Sequence, residues 1–213
     1  MGLFIEYLVS NPWFFFSWTL IVVFSICVHE YAHARVALSR GDATAALTGH
    51  LTLNPLKQMG WGSLAALMIV GFAWGAVPVN PAGYSKKSDS ALVAFSGPAA
   101  NLLLCFIAAI AMAMVARFAG AGAARLALFL RLAATANATL FVLNLLPAPM
   151  LDGWSVLEPF VPPMGDVRRQ YGPTLSWVSL LLLFATPLSD WVWRAGAALS
   201  EAAIRNAVRL LAS

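Results

Sequence analysis

The sequence predicts an all-α polytopic membrane protein with about four transmembrane helices, a reentrant segment and a short β-hairpin. Three observations carry this. Of 213 residues, 61% are hydrophobic and only 10% charged, with a mean hydropathy of +0.78, whereas soluble domains carry about 25% charge. Four apolar segments, roughly 14–37, 91–116, 126–148 and 173–193, approach the ~20 residues that cross a ~30 Å hydrocarbon core. A fifth, WGSLAALMIVGFAWGAVPV at 61–79, is short between polar flanks and carries Gly62, Gly71, Gly75 and Pro78.

Taken in order, MGLFIEYLVSNPW lacks a basic n-region and holds Glu6, so it reads as a short interfacial helix rather than a cleavable signal. Residues 44–55, TAALTGHLTLNP, alternate imperfectly, with Thr and Leu suited to strands and Gly49 at a turn. They predict the hairpin, whose free edge suits an extended peptide. Residues 195–212 alternate apolar and charged positions at helical spacing and predict an amphipathic helix lying at the interface. No repeat or linker divides the chain, so 1–213 reads as one integral-membrane domain. Cys27 and Cys105 lie inside apolar runs, without a CxxC partner, and predict no disulfide.

The net charge of +4 does not signal nucleic acid in so apolar a chain. Its basic residues mark cytoplasmic loops instead. Arg35, Arg40, Lys57, Lys86, Lys87, Arg168 and Arg169, seven of the thirteen, flank the spans on one predicted side. The N-terminus is therefore expected outside, in the inner or plasma membrane. A chain inside at Arg40 and again at Lys87 makes an even number of crossings between them. One short apolar segment cannot cross twice, so 61–79 should dip in and return.

The first span contains FSICVHEYAHAR, with two histidines and a glutamate where ionisable groups are costly. On a helix, His29 and His33 share a face one turn apart. They can take adjacent corners of a tetrahedral zinc site, with Glu30 beside them to act on water. A catalytic zinc takes a third protein ligand. NLLPAPMLDGW, at 144–154, offers Asp152 just beyond the helix-breaking Pro147 and Pro149. His50 is the lesser alternative. In SGPAANLLL, Gly97, Ala99 and Ala100 permit close helix approach, and Asn101 reads equally as packing or as a hydrogen-bonding group.

HEYAH within a span, GPAAN opening the next and N-x-x-P-x-x-x-L-D-G closing the third together resemble the site-2 protease family of intramembrane zinc metalloproteases. The resemblance covers roughly residues 14–155, which would form the catalytic core. LTLNPLK, the reentrant segment and PVNP resemble the compact bacterial branch without a PDZ domain; Gln58 stands where several members carry histidine. The resemblance implies one zinc ion per chain on His29, His33 and Asp152, with Glu30 as general base and acid. It implies substrate-placing roles for Asn144, Asn101 and, in the LTLNPLK loop, Asn54. A transmembrane protein or peptide would be the substrate, met within the bilayer on the cytoplasmic side. Two other classes remain open at this point: a metal-transport site, since intramembrane ionisable groups mark ion pathways, and an inactive membrane-protein-binding scaffold.

Overall fold

A computed structural model describes residues 2–119 and 121–212. A helical turn at Phe4–Glu6 leads into α1 (Tyr7–Ser10) and then α2 (Pro12–Ser39). Asn11 starts α2 by accepting the Phe14 amide, with Pro12 preset in the first turn. The short helices α3 (Thr44–Leu47) and α4 (Pro55–Gln58) precede α5 (Gly60–Val70). The long α6 (Lys87–Phe118) and α7 (Ala124–Asn144) follow. They are succeeded by α8 (Asp152–Leu157), α9 (Pro162–Ala185) and α10 (Leu188–Ala212).

Among the described residues three helices, α2, α6 and α7, are long and apolar enough to cross a membrane, and the bent pair α9–α10 adds a fourth if it counts as one span. No more than 44% of the apolar window of any of the three is buried within the protein. Phe16, Leu20 and Phe24 run as an exposed stripe along α2, and Leu103, Phe106, Ile107 and Ile110 along α6. Such stripes are placed for lipid; this is an integral membrane protein. Alanines let the helices approach closely: Ala108 and Ala109 of α6 meet Ala134 and Ala138 of α7 and Ala203 and Ile204 of α10.

The segment expected to be reentrant folds back on itself. α5 ends at Gly71, whose φ of 84° allows the reversal. Trp18 Nε1 donates to the Gly71 carbonyl at 3.0 Å, so the tip reaches the N-terminal half of α2. The chain then returns without helix beside α5. Ser63 Oγ bonds both the amide and the carbonyl of Trp74, and the Ala76 amide donates to the Gln58 carbonyl at 2.9 Å.

Two expectations are corrected. Among the described residues there is no strand, and the 44–55 hairpin does not form. Asp42 accepts the Thr44 amide and starts the turn of α3, while the Gln58 side-chain amide binds the carbonyls of His50 and Thr52. The carbonyls that a hairpin ladder would use are thereby taken. The C-terminal boundaries also differ. The expected span at 173–193 is interrupted at Thr186–Pro187, where the helix axis bends by 71°. The apolar face of the 195–212 helix, expected at the interface, is buried against α6 and α7 through Ser200, Ala203 and Ile204.

Candidate metal centre

α2 presents His29, Glu30 and His33, all buried, toward α6. The Nε2 atoms of the two histidines lie 3.0 Å apart. Asp152, the first residue of α8, brings its carboxylate oxygens to 2.9 Å from His29 Nε2 and 3.3 Å from His33 Nε2. Gly153 makes this approach possible: a Cβ there would lie 2.4 Å from the Leu145 carbonyl oxygen, so only glycine lets α8 fold back on the end of α7.

The hydrogen bonds behind the ring fix what the front of the site offers. His33 Nδ1 sits 2.7 Å from the Val93 carbonyl oxygen, which can only accept. His29 Nδ1 sits 2.6 Å from Asn101 Oδ1. With each Nδ1 directed at an oxygen, a neutral ring protonated there would turn its Nε2 to Asp152 as a lone pair. In that state three acceptors converge, and among the described residues Asp152 Oδ2 is buried without a hydrogen-bond partner. Such a cluster repels itself unless a cation lies at its centre. Two ligands about 2.0–2.1 Å from zinc at the tetrahedral angle stand roughly 3.3 Å apart, close to the spacings found here. Imidazole and carboxylate donors in this number suit zinc.

Gly97 completes the floor. A Cβ at this position would lie 2.3 Å from His33 Nε2 and 2.5 Å from His29 Nε2, in the space an ion needs. Opposite, Gly75 on the return leg lies so close to Glu30 that a Cβ would fall 2.5 Å from its Oε1. His29, Glu30, His33, Asn144 and Asp152 all border one cavity of about 1880 Å³, which extends to Lys86 and Arg168.

The remaining sequence candidates separate. Asn144 borders the cavity and donates one amide hydrogen to the Leu140 carbonyl at 3.0 Å. Asn101 is fully buried, and its oxygen is engaged by His29, so it stands behind the metal ligands rather than before a substrate. Asn54 caps α4 by accepting the Leu56 amide and does not border the cavity. His50 pairs with Thr48 and is not part of the ligand cluster. Asn137 of α7, which donates to Ala133 and accepts from Asn101, was not anticipated. A polar side chain inside an apolar span was the available signal.

No family model matches the chain, and no solved structure matches it either. Curated relatives do. The "Putative zinc metalloprotease YwhC" of Bacillus subtilis is 36% identical over 184 residues, covering 82% of this chain and 81% of the relative. The "Putative zinc metalloprotease Rip2" of Mycolicibacterium smegmatis is 34% identical over 177 residues, covering 78% of this chain and 66% of the relative. Rip2 of Mycobacterium tuberculosis is 35% identical over 181 residues with the same coverage. The ligand cluster and these relatives agree: the chain belongs to the zinc metalloprotease family of YwhC and Rip2.

Proposed function

We propose that the protein is a compact intramembrane zinc metalloprotease of the site-2 type, hydrolysing a peptide bond within or near a transmembrane segment of a membrane-protein substrate. The observation that carries the reading is the convergence of three lone-pair donors beside the Glu30 carboxylate, on one cavity among apolar helices. His29, His33 and Asp152 hold one zinc per chain, which when bound acidifies water and polarises a carbonyl. Glu30 takes the water's proton and later delivers it to the leaving amine. Asn144 uses one N–H on Leu140 and offers its second to the developing oxyanion.

A helical peptide bond is shielded by its own hydrogen bonds, so the substrate must be extended at the site. The return leg of the reentrant segment suits that conformation. Trp74 and Ala76 turn their amides toward Ser63 and Gln58, so by strand alternation Gly75 and Val77 turn theirs to the opposite edge. Both border the cavity. This edge replaces the 50–55 hairpin as the surface for strand addition. The basic loops favour a cytoplasmic opening in the inner or plasma membrane, with the N-terminus outside.

Glu30→Gln keeps the shape of the side chain and removes the base. The purified variant should retain zinc and lose cleavage of a membrane-segment substrate. Cleavage at the parent rate would refute the mechanism.

A further inference from the structure

Resting on the zinc reading above, we propose that Asn137 is a positioning residue that fixes which nitrogen of His29 faces the metal. It acts through Asn101. The two amides form a buried chain: Asn137 Nδ2 donates to the Ala133 carbonyl at 2.9 Å, Asn101 Nδ2 donates to Asn137 Oδ1 at 3.0 Å, and Asn101 Oδ1 meets His29 Nδ1 at 2.6 Å. Asn101 is 0% and Asn137 3% exposed, so water does not substitute for a missing partner.

Side-chain amides can turn over, and both turned together would still match each other. Backbone carbonyls break the tie, because they only accept. With both amides reversed, Asn137 Oδ1 would face the Ala133 oxygen, and Asn101 Oδ1 would face the Ser25 oxygen, which now lies 3.5 Å from Asn101 Nδ2. Each reversal sets acceptor against acceptor in a buried site. The polarity therefore runs one way, from the Ala133 carbonyl through Asn137 and Asn101 to a protonated His29 Nδ1. His29 Nε2 is left as the lone pair that faces Asp152 and His33. For His33 the Val93 carbonyl does the same work directly.

Removing Asn137 Oδ1 leaves only the long 3.5 Å contact with the Ser25 carbonyl to hold the Asn101 amide, so Asn101 can more readily turn its NH₂ toward His29, which favours the wrong tautomer. Asn137→Leu should weaken zinc binding about 10- to 100-fold, the usual size for groups that orient a metal ligand. Asn137→Asp, whose buried carboxyl is held neutral so that its O–H donates to the Ala133 carbonyl, keeps an acceptor toward Asn101 and should retain affinity within a few-fold of the parent. Because Asn137 acts through Asn101, the pair Asn101→Leu with Asn137→Leu should bind zinc no more weakly than Asn101→Leu alone.

The test is zinc titration of the purified full chain and these variants, together with ¹⁵N-imidazole spectra of the metal-free parent, with His29 assigned by loss of its signal in His29→Gln. The proposal expects His29 to carry its proton on Nδ1, the Leu variant to shift it toward Nε2, and the Asp variant not to. Additive losses in the double variant, or parent-like affinity in Asn137→Leu, would overturn it. If Asn137→Leu does not fold, the parent spectrum still decides, since an Nε2-protonated His29 contradicts the relay. A parent that binds no zinc at all would sink the zinc reading, while the tautomer would still test the relay.

Discussion

Gly97 of α6 lies directly beneath His33 of α2, so close that a methyl group there would fall 2.3 Å from His33 Nε2. A metal needs that volume. Gly97→Ala should therefore empty the site without removing any ligand: zinc content should fall from about one per chain toward zero, while the helical far-ultraviolet spectrum is retained. Elemental analysis of the purified variant checks this, and stoichiometric zinc in it would mean that the ion lies elsewhere.

Asp152 and Asp166 make a matched comparison. Asp152 closes the ligand cluster, whereas Asp166 is exposed and paired with Arg169 in α9. Asp152→Ala should abolish cleavage and weaken zinc binding by at least about tenfold. Asp166→Ala should change either by less than twofold, since exposed ion pairs contribute little. Competition with a chromogenic chelator measures both.

How much of this was legible in the sequence depends on distance along the chain. HEYAH is a local statement, because two histidines four residues apart must share a helical face. Asp152 was legible through Pro147 and Pro149, which end the helix, and Gly153, which frees the backbone just beyond it; the close fold-back on α7 was not. The role of Gly97 was half visible: its smallness predicted close packing, but not that the neighbour would be a pair of imidazoles. Asn137 carries no motif, and its role appears only when α7 meets α6. The hairpin failed because residues 44–47 turn helical and Gln58 captured the carbonyls of His50 and Thr52. The break in the C-terminal span had a local signal in Pro187, because the residue before proline is pushed out of helical geometry. Asn54 was a capping residue, the commoner use of asparagine before proline.

Asp42 ties the exit of the return leg to the end of α2. Its carboxylate accepts the amides of Thr44 at 2.9 Å and Asn80 at 2.6 Å. Burial pushes this carboxyl up, but the donors of Thr44 and Asn80 outweigh it and hold it below the usual range. Burial, then the nearby Asp42 charge, raises Tyr84 to about 12. A depressed carboxyl stabilises the fold above its unfolded value of about 3.9, and that contribution fades as pH falls through the folded value. Asp42→Ala should lower stability by about 1–3 kcal/mol at neutral pH. The difference from the parent should shrink below about pH 4, which detergent-phase thermal melts at several pH values will measure.

The path of the 61–79 segment gives a topological test. Lys57 and Lys86 flank it, and the bond from Ala76 to Gln58 brings its two legs together. Single Lys57→Cys and Lys86→Cys variants should react alike with an impermeant thiol reagent in oriented vesicles. Labelling from opposite sides would require a full crossing between them.

The central claim is that His29, His33 and Asp152 hold zinc, and the most direct measurement is X-ray absorption at the zinc edge of the purified protein. The expected spectrum shows one zinc per chain with two imidazoles and oxygen ligands at about 2.0–2.2 Å, and His33→Ala either loses the zinc or loses one of the two imidazoles. Absence of zinc, or a sulfur shell at about 2.3 Å, would contradict the account.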